Sequence, residues 1–236
     1  IRDSIGMGRM GRMIRDCAAD RGIEVAAEFN TATIAQLAQC DRMDAVIDFS
    51  APASLPALAA YVQRTGTPLV SGTTGYCDEE AARVNALGSY APVAVSANFS
   101  IGVAVLKHLA AEAAALLPDF DIEIIETHHR MKKDAPSGTA KLLLSAVNPD
   151  GTHPTVFGRE GFAPRTAGEI GVHAVRGGTV AGVHTVSFFG DEEELSLTHR
   201  AESRRIFAIG ALKTAEKLKD APVGLHTLDE LLFARR

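Results

Sequence analysis

Over roughly the first hundred residues, short apolar runs alternate with amphipathic stretches, and that alternation admits few folds. Runs at 23–29, 45–49, 68–71 and 92–97 read as strands, and the stretches 10–19, 54–64 and 78–87 between them read as helices. Strand and helix alternating at this spacing predict βαβ units, which close a parallel sheet through right-handed crossovers. Val46-Ile47 and Val93-Ala94-Val95 are apolar on both parities, as strands buried on both faces must be.

Beyond Asn98 the pattern changes. Ser100 is expected to cap a helix over 101–117, with Val105, Leu109 and Leu116 forming its inward stripe. A partly alternating strand at 121–126 follows, and Ser137 is placed to cap a helix over 138–147. Three strand-like runs, 168–176, 180–189 and 193–202, come next with little helix. Gly177-Gly178 between the first two is read as a hairpin turn. A last amphipathic helix covers 206–218. The second half therefore reads as α+β with an antiparallel or mixed sheet.

Length and charge narrow the function. The 236 residues hold one large domain or two modest ones, and the 46% hydrophobic, 22% charged composition is globular. A net charge of −5 argues against a nucleic-acid partner. Cys17, Cys40 and Cys77 lie far apart without metal-ligand spacing and suit a reducing, cytoplasmic setting as three small buried hydrophobes. No apolar run is long enough to span a membrane, and Ile1-Arg2-Asp3-Ser4 carries no signal-peptide apolar core.

Gly6-Met7-Gly8-Arg9-Met10-Gly11 matches G-x-G-x-x-G ahead of a helix, the pattern that brings backbone and helix N-terminus to a pyrophosphate. Taken alone it is as well explained by a glycine turn. A ribose-binding acid is expected near the end of the second strand, where Glu28 and Asn30 stand. With Asn30 at that position no carboxylate repels a 2′-phosphate, so NADPH is tolerated, with Arg9 in support. Ser71-Gly72-Thr73-Thr74-Gly75 and Ser96-Ala97-Asn98-Phe99-Ser100 each follow a strand, where the carboxyl ends of a parallel sheet face a ligand crevice.

The most distinctive segment is Glu126-Thr127-His128-His129-Arg130-Met131-Lys132-Lys133-Asp134-Ala135-Pro136-Ser137-Gly138-Thr139-Ala140. Clustered cations running into a helix N-terminus suit a ligand with several carboxylates, the small-molecule dicarboxylate class. Lys132 and Ser137-Gly138-Thr139 are candidate carboxylate holders, and a histidine or lysine beside them is a candidate general acid. The competing reading is a solvated basic loop. Zinc is disfavoured and no metal is expected, because adjacent histidines without further spaced ligands make a poor tetrahedral set. His108, His153 and His226, together with His173, His184 and His199 in the strands, read as ordinary satisfied histidines.

The same segment resembles the signature E-x-H-H-x-x-K-x-D-A-P-S-G-T-A of the 4-hydroxy-tetrahydrodipicolinate reductase (dihydrodipicolinate reductase) family. Gly8-Arg9-Met10-Gly11, Ile47-Asp48-Phe49-Ser50, Gly72-Thr73-Thr74-Gly75, Ala97-Asn98-Phe99-Ser100-Ile101-Gly102-Val103, Arg159-Glu160-Gly161 and the stretch 203–207 fall in the family's order. The resemblance thus covers nearly the whole chain. It implies NADPH- or NADH-dependent reduction of a cyclic imine dicarboxylate, derived from 4-hydroxy-tetrahydrodipicolinate, to tetrahydrodipicolinate in diaminopimelate and lysine biosynthesis. His128 carries over as proton donor/acceptor and Lys132 as proton donor. His129, Gly138 and Thr139 carry over as substrate contacts, with Ser137 beside them. Gly6, Met7, Gly8, Arg9, Met10, Gly72, Thr73, Thr74, Ser96, Ala97, Asn98 and Phe99 carry over as cofactor contacts, joining Asn30 from the ribose reading above.

The fold implied is α/β: a Rossmann-type doubly wound parallel sheet plus a second α+β domain with an open mixed sheet. Residues 1–99 and 205–236 are expected to bind the dinucleotide, and 100–204 to bind substrate and assemble a cytoplasmic homotetramer. The chain departs from the family at Ile5, where a glycine is usual, and at Met131, where some relatives carry histidine. Its segment between Phe29 and Asp44 is shorter by about twenty residues, and the connection after Val147 is short too. Two other readings compete: a Rossmann dehydrogenase of another small dicarboxylate, and a non-catalytic NADPH-binding homologue. The first often needs a cysteine nucleophile, and no cysteine here sits in such a context; the pairing of His128 with Lys132 argues against the second.

Overall fold

The computed structural model describes residues 4–6 and 8–233. Its elements run β1 (Ser4–Gly6), α1 (Arg9–Asp20), β2 (Ala27–Phe29), β3 (Val46–Asp48), α2 (Leu55–Thr65), β4 (Leu69–Ser71), α3 (Asp78–Ala86), β5 (Pro92–Val95), α4 (Ile101–Leu116), β6 (Asp121–His128), α5 (Gly138–Val147), β7 (Thr155–Phe157), β8 (Ile170–Arg176), β9 (Gly182–Phe189), β10 (Glu194–Ala201), α6 (Arg205–Leu218), β11 (Gly224–Leu225) and α7 (Leu228–Phe233). A 3₁₀ turn over Ile34–Gln39 fills the short segment between β2 and β3. The chain forms two compact units: one runs to Ile101 and resumes at Arg205, the other is Gly102–Arg204.

In the first unit every strand pairing is parallel. β1 pairs with β2, the other strands follow the order β3-β4-β5-β11, and β1 runs alongside β3. The chain thus moves outward from β1 to β2 and then crosses to β3 on the other side, which creates a switch point at the carboxyl ends of β1 and β3. Successive strand residues point to opposite faces and feed two cores. Ile47, Val70 and Ala94 pack with Ile14 of α1 and Ala208, Ala211 and Leu212 of α6. Val46, Leu69 and Val93 pack with Leu58 and Val62 of α2 and Val84 of α3. Helices on both faces make the sheet doubly wound, and α6 carries the chain's later residues back into this unit.

The second unit is a mixed sheet of order β10-β9-β6-β8-β7. β6 lies at its centre, parallel to β8 and antiparallel to β9. Ile124 on β6, Val172 on β8 and Val186 on β9 pack beneath Leu106 and Ala110 of α4 and Ala140 and Leu143 of α5. The opposite face of the sheet carries Ile125, Val175 and Phe189 exposed.

Three expectations are corrected. Of the cysteines only Cys17 is buried; Cys40 is half-buried and Cys77 exposed. Gly177-Gly178 does not close a β8–β9 hairpin, because both strands flank β6. Instead Gly177 N–H bonds to the His128 carbonyl (2.9 Å) and the Gly178 carbonyl accepts from Arg130 N–H (3.2 Å), so the turn is tied to the end of β6. The stripe of α4 is also reversed. Val103, Leu106, Ala110 and Ala113 face inward, while Val105, Leu109 and Leu116 are exposed.

Candidate functional site

The second unit's site grows from the carboxyl end of β6. Strand periodicity sends Ile124, Glu126 and His128 to the helix-covered face, so Glu126 and His128 sit two residues apart in the interior. A buried carboxylate needs several donors. Glu126 has a bidentate pair from Arg176 (2.8 and 2.7 Å), the His128 Nδ1 at 2.5 Å and the Ser137 backbone N–H at 3.0 Å. Burial pushes the Glu126 carboxyl up, but those donors outweigh it and hold the group below its ordinary range.

Burial lowers the His128 imidazole from its ordinary value, although Glu126 pulls the other way. Its Nδ1 is committed to Glu126, which leaves Nε2 as the working nitrogen. A Cβ on Gly182 would lie 3.1 Å from that Nε2, so the glycine keeps the approach open. His184, on the neighbouring strand β9, meets the His128 ring edge-on at 5.1 Å between centroids. Burial, reinforced by the charge of His128, lowers His184 to about 4.

After β6 the chain turns through Lys132, whose Nζ donates to Asp134 Oδ1 at 2.8 Å. That bond holds Asp134 below its ordinary value. The Asp134 carbonyl accepts from Arg176 (2.7 Å), and the Ala135–Pro136 peptide that follows is cis. Ser137 is the N-cap of α5: its Oγ accepts from Ala140 N–H at 3.1 Å, as expected of a serine ahead of an apolar period. Gly138 and Thr139 form the first turn, and nothing lies within 4 Å of a Cβ built on Gly138. His129, the residue after β6, accepts from Arg204 Nη2 at 3.3 Å. His128, Lys132, Ser137, Gly138 and Thr139 thus line one strand end and one helix N-terminus. Arg176 was not singled out in the sequence, and His184, expected to be an ordinary satisfied histidine, has a buried Nδ1 without a partner among the described residues; they arrive on β8 and β9, 50 and 47 residues from the groups they bind.

The first unit carries a separate constellation. Gly8 is the N-cap of α1 with no side-chain cap, and no acid stands in the first turn. The N–H groups of that turn therefore have no side-chain cap, and Arg9 is exposed beside them. A Cβ on Gly8 would meet nothing within 4 Å, so a phosphate can approach the backbone. Gly6 ends β1; Met7 lies outside the described residues. Asn30 follows β2, and its Oδ1 accepts from Ala32 N–H, Thr33 N–H and the Thr33 hydroxyl. An apolar recess lined by Phe29, Ile34, Leu37 and Leu58 opens beside it.

The loops after β4 and β5 meet the same strand ends. Thr73 donates to Asp48 Oδ2 at 2.7 Å and accepts from Ser50 N–H at 3.0 Å, so its hydroxyl is already engaged. Gly72 lies against the Phe49 ring, where a Cβ would stand at 2.4 Å, and Phe49 tilts onto the buried Phe99 at 5.7 Å. Ser96 Oγ bonds the Asn98 carbonyl (2.8 Å), and Asn98 Oδ1 accepts from Ser100 N–H (2.8 Å). Thr74 and Ala97 are exposed at the rim. An uncapped glycine-led helix, Asn30 just past β2 with Glu28 of that strand facing Arg15 at 3.5 Å, and small residues on two adjoining loops fit a dinucleotide.

Comparisons with known proteins place the chain in a family. Residues 5–99 match the family model "Dihydrodipicolinate reductase, N-terminus", and 102–232 match "Dihydrodipicolinate reductase, C-terminus". A 4-hydroxy-tetrahydrodipicolinate reductase of Exiguobacterium sp. is 42% identical over 233 residues, covering 96% of this chain and 93% of the relative. The enzyme of that name from Thermomicrobium roseum is also 42% identical, over 250 residues, covering 95% and 96%. Among solved structures, the dipicolinate-bound dihydrodipicolinate reductase of Paenisporosarcina sp. TG-14 superposes with a TM-score of 0.76 at 23% identity, covering 99% of each chain. With both family models matched in order along nearly its whole length, the chain belongs to the dihydrodipicolinate reductase family.

Proposed function

We propose that this chain reduces the cyclic imine dicarboxylate derived from 4-hydroxy-tetrahydrodipicolinate to tetrahydrodipicolinate, using NADPH or NADH, in diaminopimelate and lysine biosynthesis. The observation that carries the reading is the buried Glu126–His128 pair beside Lys132, set against the N-terminus of α5. The dinucleotide would be held by the glycine motif (Gly6, Met7, Gly8, Arg9 and Met10), by Asn30, and by the loops of Gly72, Thr73, Thr74 and Ser96, Ala97, Asn98, Phe99. When bound, it would supply the hydride that passes to the substrate.

The chain's own groups supply the rest. Ser137, Gly138 and Thr139 hold substrate carboxylates with hydroxyls, backbone N–H groups and the positive end of the α5 dipole, and His129 adds a contact. Lys132 exchanges its bond to Asp134 for a bond to substrate. The proton required at the ring nitrogen comes from His128 Nε2 or Lys132 Nζ. Burial makes the His128 imidazolium a stronger acid than a solvated one, and Glu126 fixes which nitrogen carries the working proton. The second unit also serves assembly, through its uncovered sheet face, in a cytoplasmic homotetramer. No described helix is long and apolar enough to cross a membrane.

The test supplies freshly generated 4-hydroxy-tetrahydrodipicolinate and follows NAD(P)H absorbance. Turnover is expected; none with either cofactor, from folded protein, rejects the reading. His128→Gln should mainly lower kcat, and Thr139→Val should mainly raise KM. Equal, small effects from both would show that the site lies elsewhere.

A further inference from the structure

His184 is 4% exposed and Ser137 2%, and they meet at 3.1 Å between Nε2 and Oγ. Ser137 Oγ already accepts from Ala140 N–H, so its remaining lone pair and its proton are what the contact with His184 decides. The other ring nitrogen, His184 Nδ1, is buried with no hydrogen-bond partner among the described residues.

Two arrangements satisfy the contact. If the serine donates to Nε2, the ring proton sits on Nδ1 as a buried donor with no acceptor. If Nε2–H donates to Oγ, Nδ1 is a bare acceptor, both serine lone pairs are filled, and the hydroxyl proton is free for an acceptor outside the pair. An orphaned buried donor is the rarer outcome in folded proteins, which favours the second arrangement. Double protonation of the ring is opposed by burial. Gly138, the next residue and the first of α5, is exposed, with nothing within 4 Å of a Cβ built on it.

We propose that His184 is a positioning residue of the substrate site: by donating Nε2–H to Ser137 Oγ, it turns the serine hydroxyl proton outward as a donor to a carboxylate of the bound dicarboxylate. The inference rests on the reductase reading and deepens it. His184 touches neither substrate nor the reacting atoms; it sets the polarity of a group that does.

The test measures the Kd of dipicolinate by calorimetry on the NADPH-loaded protein, comparing wild type with His184→Phe, His184→Gln, Ser137→Ala and the double variant His184→Phe/Ser137→Ala. A glutamine amide reaches the place of Nε2 and restores the donor, whereas phenylalanine keeps the ring and removes it. His184→Phe is expected to weaken dipicolinate about tenfold, the scale of one hydrogen bond to a charged group, and glutamine to restore most of it. KM should rise in parallel, with kcat falling less than about threefold. In the Ser137→Ala background His184→Phe should add nothing.

An unchanged Kd in His184→Phe, or an equal loss with and without the serine hydroxyl, overturns the inference. Should phenylalanine prevent folding, His184→Asn replaces it: its amide falls at the place of Nδ1, out of reach of Ser137, so asparagine behaving like glutamine also overturns it. Wild type that binds dipicolinate but reduces nothing rejects the reductase reading and leaves this comparison intact. Wild type that does not bind dipicolinate overturns the carboxylate site and this role with it.

Discussion

Glu126, His128 and His184 lie within a few ångströms of one another, and burial acts on their protons in a way that stability should report. His184 is lowered from 6.5 to about 4, and His128 and His199 are lowered in the same direction by burial. Between those values and the ordinary one the unfolded chain binds more protons than the folded one, so stability is present above about pH 6.5 and falls as the solution is acidified. Glu126, held below its ordinary range, loses its contribution at still lower pH and with the same sign. His184 alone accounts for roughly 3 kcal/mol between pH 6.5 and 4. Urea unfolding followed across that window should show a shallower loss for His184→Gln than for wild type. Superimposable slopes would mean that the ring is not kept neutral by burial. The motif displayed its acids and its serine cap in plain order, because they are consecutive in sequence. Arg176 and His184 were hidden because strand register alone brings them to Glu126 and Ser137, and one sequence does not declare its register.

At the scale of elements, what could be read depended on whether a pattern selects one face. Helix α5 was predictable, since Ser137 caps it and its apolar period is clear. Helix α4 is apolar nearly all round, so its period did not choose between the Val103 side and the Val105 side; packing against the sheet decided. The diglycine after β8 is a valid turn signal, but turn chemistry does not say which strand the chain joins next, and here β6 takes both neighbours. Helix α6 shows the strictest local demand. A Cβ on Gly210 would stand 1.6 Å from the Phe99 carbonyl oxygen, a backbone atom that cannot swing aside. Gly210→Ala should therefore cost at least the upper end of the ~1–3 kcal/mol typical of overpacking. Gly177→Ala, with nothing within 4 Å and no positive φ, should stay within about 0.5 kcal/mol. Thermal or urea unfolding of the two variants decides this, and equal effects would show that α6 does not pack as closely on Phe99 as described.

For the whole molecule, the chain leaves its first unit at Ile101 and returns at Arg205, so the second unit is an insertion between strand β5 and helix α6. That division separates two kinds of demand: one unit must keep a glycine-led helix N-terminus and two small-residue loops at a sheet's carboxyl edge, while the other must bury a charged strand end. The second unit also leaves one sheet face without a helix. Ile125, Val175 and Phe189 are exposed on it, alongside the Thr185–Thr198 and Ser187–Ser196 hydroxyl pairs. Exposed apolar residues grouped on a sheet face mark an interaction surface, and a second copy of the same face is the partner implied by the proposed homotetramer. Placing two like charges there tests it. Ile125→Glu with Val175→Glu puts carboxylates on adjacent strands of the face without touching the Glu126 side of the sheet. Sedimentation should find a tetramer for wild type and smaller species for the double variant. NADPH affinity should hold within about threefold, because the proposed dinucleotide residues lie in the other unit. A double variant that still sediments as a tetramer would place the assembly surface elsewhere, and a monomeric wild type would remove the assembly role from this sheet altogether.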